Sequence, residues 1–267
     1  MTGPARVRLY TLFTLFLAGS ALAAPAGAPA SAAPPTQVAE FFAAIKAANR
    51  VKVEAMLARA PALAAAHGPK GASAVLTAAL MLRTDAEGFV CTRKNPVLSA
   101  VLARAPAPDV FEAALVGDVA RLSALLAADP GLIAARHQIG WTPLHFASFG
   151  GKLDTVKLLL DRGAEIDPRA RNRFQNTPLQ TASLCGERDV MAHLLDRGAD
   201  PNVRQGEGFA SLHDAAFLGR IDIIQLLLDH GADINARGDT GESPLGLAVR
   251  VKMDKAAAYL REKGAKQ

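Results

Sequence analysis

The densest grouping of reactive side chains is SLHDAA, where Ser211, His213 and Asp214 fall within four residues. These are the residue types of a nucleophile, its base and the group that orients the base. Their spacing is wrong for that work, because residues two apart on a helix point away from one another. The six histidines offer no alternative, since none are paired at i, i+4 and no Cys–His cluster occurs. GEGFA and GDTGES contain glycines, but in loops where glycine serves a turn rather than a phosphate. Cys91 and Cys185 match no zinc or haem spacing. The residues point to no catalytic group, no metal and no cofactor.

SLHDAA is one instance of a recurring pattern. TPLHFASFGGKLDTVKLLLDRGAE starts at Thr142, TPLQTASLCGERDVMAHLLDRGAD follows 35 residues later, and ASLHDAAFLGRIDIIQLLLDHGAD 33 after that. Ala147, Ala182, Ala215 and Ala248 keep these intervals, as do Gly163, Gly198, Gly231 and Gly264. Thr142 suits a helix N-cap and Pro143 the first helical position. A short helix then ends near Gly150–Gly151. A second, from Leu153 to about Arg162, carries Val156, Leu159 and Leu160 on one face. Gly163 sits where a helix ends in a left-handed residue. A polar, turn-rich stretch leads to the next unit. One such hairpin cannot bury its apolar face alone, so neighbours must stack.

GWTPLHFASFGGKLDTVKLLLDRGAEID resembles an ankyrin repeat at its T-P-L-H-x-A, Gly, Leu-Leu and G-A-D positions. The resemblance implies an all-α fold: a solenoid of stacked helix–turn–helix units with extended loops. It is strong over 140–267, and Asp109–Gln138 fits without the Thr-Pro start. Upstream, the chain matches itself at an offset of 69, about two units: Phe42 with Phe111, Pro61 with Pro130, Gly71 with Gly140 and Ala78 with Ala147. Residues 37–108 are therefore read as degenerate units and 109–267 as regular ones, seven in all. The second unit is expected to be irregular, with a protruding loop over Leu82–Pro96 and no extended finger before Asp109. In the sixth, Ala210 and Ser211 replace Thr-Pro, which weakens that helix start.

Residues 1–23 read as a signal peptide: Arg6 and Arg8, an apolar run from Leu9 to Ala23, and an A-x-A cleavage pattern at Ala21 and Ala23. Residues 24–36, rich in Ala and Pro, read as a disordered linker. The expected location is the bacterial periplasm or the outside. Without Arg6 and Arg8 the chain carries 28 basic against 25 acidic residues, a net +3, with no basic stripe for nucleic acid. No later apolar run is long enough to span a bilayer. Cys91 and Cys185 fall in the second and fifth units, and three steps of the stack put their sulfurs about 25–30 Å apart. No intramolecular bridge is expected, and Cys91 is read as the more reactive thiol.

The resemblance implies a non-enzymatic module that binds a protein partner on a concave face lined by loop tips and first-helix ends. The alternative is an inhibitor or immunity protein that covers a secreted toxin or enzyme. It also assigns His145 and His213, at one repeat position, to structural bonds between neighbouring units. Carried onto this chain, the face comprises Ile139, Trp141, Phe149, Phe174, Leu184, Phe209, Phe217 and Leu218. Trp141, Phe149, Phe174, Phe209 and Phe217 are five of the eleven aromatic rings after residue 23, and aromatic anchors are what interfaces favour. Arg169, Arg171 and Arg173 add positive charge to one finger. A monomer is expected.

Overall fold

The computed structural model describes residues 33–68, 73–79, 82–85, 88–91 and 97–266. The expected signal peptide and most of the expected linker lie outside these residues. Helix α1, Pro35–Lys46, begins two residues inside the stretch read as linker. It pairs with α2, Arg50–Arg59, and a 3-10 turn at Pro61–Ala65 closes the first unit. The second unit holds α3, Ala74–Ala79, strands β1, Leu82–Asp85, and β2, Gly88–Cys91, and α4, Leu98–Leu102. The third has α5, Val110–Val116, α6, Val119–Ala128, and a 3-10 turn at Pro130–Ala134. Four regular pairs follow: α7, Pro143–Phe149, with α8, Leu153–Asp161; α9, Pro178–Cys185, with α10, Arg188–Asp196; α11, Ser211–Leu218, with α12, Ile221–Asp229; and α13, Pro244–Arg250, with α14, Asp254–Glu262. The expected solenoid is what is found. The expected loop of the second unit contains an antiparallel hairpin, with Leu82 opposite Cys91 and Asp85 opposite Gly88.

The helices stack in two rows. First helices α5, α7, α9, α11 and α13 pack in sequence, and so do second helices α6, α8, α10, α12 and α14. Fully buried Ala147, Ala182, Ala215 and Ala248 lie in the first row, where a small side chain permits close approach. Val156, Leu159 and Leu160 are buried as the helical period requires. One continuous core runs from α5 to α14, while Phe41, Ile45, Leu57, Leu63 and their neighbours form a separate core in the first two units. The two meet at α3 and α5. Leu76 of α3 belongs to the larger core, and the Ser73 hydroxyl donates to the Glu112 carboxylate.

The offset of 69 is visible in local geometry. Asn49 caps α2 by accepting from Lys52 N–H, and Asp118 caps α6 by accepting from Arg121 N–H. Both units end in a 3-10 turn opened by proline. The residue preceding each cap is left-handed, Ala48 at φ 51° and Gly117 at φ 84°. The same position carries Gly151, Gly186, Gly219 and Lys252 in later units, all at positive φ. At Gly186 the guanidinium of Arg220, one unit on, occupies the space a Cβ would need. Glycine therefore serves both the turn and the joint.

Candidate interaction face

The fingers are built from backbone and held by side chains that repeat. Arg136 Nη1 donates to the carbonyls of Gly140, 3.2 Å away, and of Arg169, 2.8 Å away, in the next finger. Arg204 Nε reaches Gly208 O at 3.0 Å, and Arg237 Nη1 reaches Gly241 O at 3.0 Å. Asp167, Asn202 and Asn235 share one repeat position. Each accepts the backbone N–H of a residue in the next turn, Asp200, Asp233 and Lys266 respectively. The basic finger is largely committed to the next one: Arg169 donates to Arg204 O, and Arg173 lies 3.8 Å from Glu207 and over the ring of its own neighbour, Phe174.

At the head of the first helices α5, α7, α9 and α11 one position does the joining. His145 Nδ1 accepts from Thr142 N–H at 3.2 Å, which leaves Nε2–H to donate to Asn176 O at 2.9 Å in the next finger. His213 repeats this with Ala210 N–H and Glu242 O. Gln180 does the same with an amide, accepting from Thr177 N–H and donating to the carbonyls of Val203 and Phe209. Glu112, in the third unit, accepts from Asp109 N–H on one side and from Ser73 on the other. The Thr142 hydroxyl pairs with the His145 ring, at 2.9 Å, rather than capping backbone as the sequence suggested. At Ala210 only the histidine half of that arrangement remains.

Burial keeps these imidazoles neutral. It pushes the His145 pKa down to about 4, and that of His213 down as well. Both rings are fully buried and fully committed, so His213 has no proton to exchange with Ser211. Asp214 is also buried, with no hydrogen-bond partner on Oδ2, and burial pushes its pKa up to about 8, with Glu207 adding to the rise. A different triad-like group, missed in the sequence, lies where the second unit lacks its finger. Ser73, Glu112 and His67 border a cleft of about 370 Å3 with Phe111 and Pro106 on its walls. Ser73 Oγ already accepts Leu76 N–H at the head of α3 and donates to Glu112, so it is a cap and not a nucleophile.

The expected ring of exposed aromatics is corrected. Trp141 is fully buried among His145, Phe146 and Phe149, with ring centroids 5.3 Å from Phe146 and 5.5 Å from Phe149. Ile139, Phe149, Phe174, Phe209 and Phe217 are all at most 8 % exposed. Phe209 lies against the Cα of Gly238 in the next finger and over the His213 ring. The Phe209 ring thus packs onto the following unit, while Trp141 packs within its own. Leu184 and Leu218 alone of the expected set are half-exposed.

The expectation of two unbridged cysteines is also corrected. Cys185, the last residue of α9, is disulfide-bonded, and the chain has one other cysteine, Cys91. β2, which ends at Cys91, packs against α9. The strand β2 brings Cys91 out of the second unit and against the fifth, a separation that the spacing of stacked helices does not describe.

The family model described as "Ankyrin repeats (3 copies)" matches residues 110–205 and 193–267. The chain belongs to the ankyrin-repeat family. Among curated proteins it is 45% identical over 67 residues to the probable E3 ubiquitin-protein ligase XBOS31 of Oryza sativa subsp. japonica, covering 24% of this chain and 15% of that one. It is 44% identical over 59 residues to the serine/threonine-protein kinase VIK of Arabidopsis thaliana, or 22% and 13% of the two chains. It is 40% identical over 63 residues to the 2-5A-dependent ribonuclease of Mus musculus, or 24% and 9%. The chain therefore spans a small fraction of each relative. Ankyrin repeats are interaction scaffolds, and that much carries to this chain. Among its described residues no helix is long and apolar enough to cross a membrane.

Proposed function

We propose that this ankyrin array is a non-enzymatic docking module that takes a protein partner on the concave face formed by its fingers and first helices, in an oxidising compartment outside the cytoplasm. The observation that carries the reading is the commitment of the polar machinery. The buried histidines and the repeated arginines already bond the next finger, so what the array offers is a preformed, ordered surface. Rigidity of that kind limits the ordering cost of association. The apolar run and A-x-A pattern near the N-terminus support export. A disulfide at Cys185 supports an oxidising environment.

The test is cross-linking of the full chain in its native compartment, followed by mass spectrometry. Leu184→Glu with Leu218→Glu should reduce cross-linked partner at least tenfold with little change in melting temperature. Lys157→Glu, exposed on the second-helix row, should change nothing. Loss of partner from Lys157→Glu alone would move the docking surface to the opposite row.

A further inference from the structure

At each joint between regular fingers, one finger bonds to the finger before it through backbone. Arg171 N–H donates to Gly140 O at 3.0 Å, Gly206 N–H to Phe174 O, and Asp239 N–H to Glu207 O at 3.2 Å. A finger also closes on itself. Gln205 N–H donates to Phe209 O, and His137 N–H donates to Trp141 O in the same way. That alignment puts Arg136 at the position of Arg171, and Gln138 at the position of Gly206 and Asp239. Yet no carbonyl among the described residues accepts the N–H of Arg136 or of Gln138. The finger that would supply one is missing. Six residues separate α4 from Asp109, against fifteen between α8 and Thr177. The cleft of about 370 Å3 described above takes its place, and Arg136, Gln138 and Asp109 are among the residues lining it. Its charge is one-sided. Asp109 is exposed and Glu112 is buried beneath. The guanidinium of Arg136 is already turned to Gly140 O and Arg169 O. Burial holds His137 below its ordinary pKa, so that ring is neutral. The cleft therefore offers backbone donors beside carboxylates, and its complement is a segment with carbonyls and a cation.

We propose that this cleft is the seat of a finger supplied in trans: an exposed turn of the partner protein, with its carbonyls on the N–H groups of Arg136 and Gln138 and a lysine or arginine side chain on Asp109. Recognition of this kind adds backbone to an unpaired edge, while side chains set the choice of partner. One turn buries far less than the roughly 800 Å2 per partner of a stable interface. It works as one element of a larger contact, so the inference deepens the docking reading above and rests on it.

The probe is a cyclic peptide copying residues 168–177, PRARNRFQNT, the finger whose Phe174 carbonyl meets Gly206 at the next joint. Added to the full chain, it should slow hydrogen exchange at the Arg136 and Gln138 amides about tenfold, read residue by residue by NMR. Asp109→Asn keeps a side chain able to cap α5 and should weaken the peptide about fivefold. Ala107, exposed on the cleft, gives a blocking variant. Ala107→Arg should abolish the protection and reduce cross-linked partner with no change in melting temperature. No change at either amide on adding peptide would overturn the inference. So would slow exchange at both amides in the protein alone, because this chain or a second copy would then already fill the seat. Partner capture undiminished in Ala107→Arg would overturn it too, and leave docking on the concave face standing. Peptide protection in a chain that captures no partner would keep the seat and sink the docking function.

Discussion

The imidazole of His145 and the backbone carbonyl of Asn176 meet at 2.9 Å across the joint between the fourth and fifth units. The ring holds its own helix start with one nitrogen and the next finger with the other, and only the neutral form can do both. An unfolded imidazole titrates near 6.5, and burial takes this one to about 4. As pH falls, the unfolded chain binds the proton first. Stability from this group is therefore complete above about pH 6.5 and is lost between there and about pH 4, by on the order of 3 kcal/mol. His145→Gln, which borrows the arrangement seen at Gln180, should remove that slope. Urea midpoints measured from pH 4 to 7 check this; an unchanged slope in the variant would place the acid sensitivity elsewhere.

Asp214 acts in the opposite sense. Its pKa is raised to about 8, so the unfolded carboxyl, near 3.9, releases its proton first as pH rises. This group should lower stability progressively from about pH 4 to about pH 8. Thr181 stands at the same repeat position and donates to Thr177 O at 2.6 Å. Asp214→Thr should stabilise the protein at pH 7 by on the order of 3 kcal/mol and by little at pH 4. Equal midpoints for the two proteins at pH 7 would contradict this.

Gln175 stands at φ 50° where Gly140, Gly208 and Gly241 turn other fingers, and Lys252 at φ 61° where Gly117, Gly151, Gly186 and Gly219 separate earlier helix pairs. A left-handed backbone disfavours any side chain with a Cβ. Gln175→Gly and Lys252→Gly should each raise stability by roughly 0.5–1 kcal/mol, read from denaturant midpoints. A fall in either would show that the side chain supports its turn.

Phe174→Ala and Phe209→Ala should each destabilise by about 3 kcal/mol, as buried rings do. Rings standing free on a concave face, as the sequence places them, would leave thermal unfolding nearly unchanged when removed, so calorimetry distinguishes the buried arrangement directly.

Much of this architecture was legible because stacking imposes a period: the buried alanines and the left-handed glycines recur at 33 or 35 residues, and the joining histidines His145 and His213 fall two such steps apart. The offset of 69 found the first two units through Pro61 and Pro130. What escaped was what a unit does to a neighbour of different sequence. Phe209 looks exposed until Gly238, 29 residues on, is seen to leave room beneath it. Trp141 is enclosed by Phe146 and Phe149 of its own unit. The hairpin defeated the estimate for Cys91 because periodicity places residues within units, and LRTD and GFVC leave theirs.

The bridge at Cys185 spans the joint where the two cores meet. Pulled from its two ends, the protein would feel tension along a covalent shortcut. The 94 peptide steps from Cys91 to Cys185, roughly 320 Å when drawn out, would carry no load until the sulfurs parted. Reduction would then appear in a force–extension trace as added length, in an array whose other joints yield one repeat at a time.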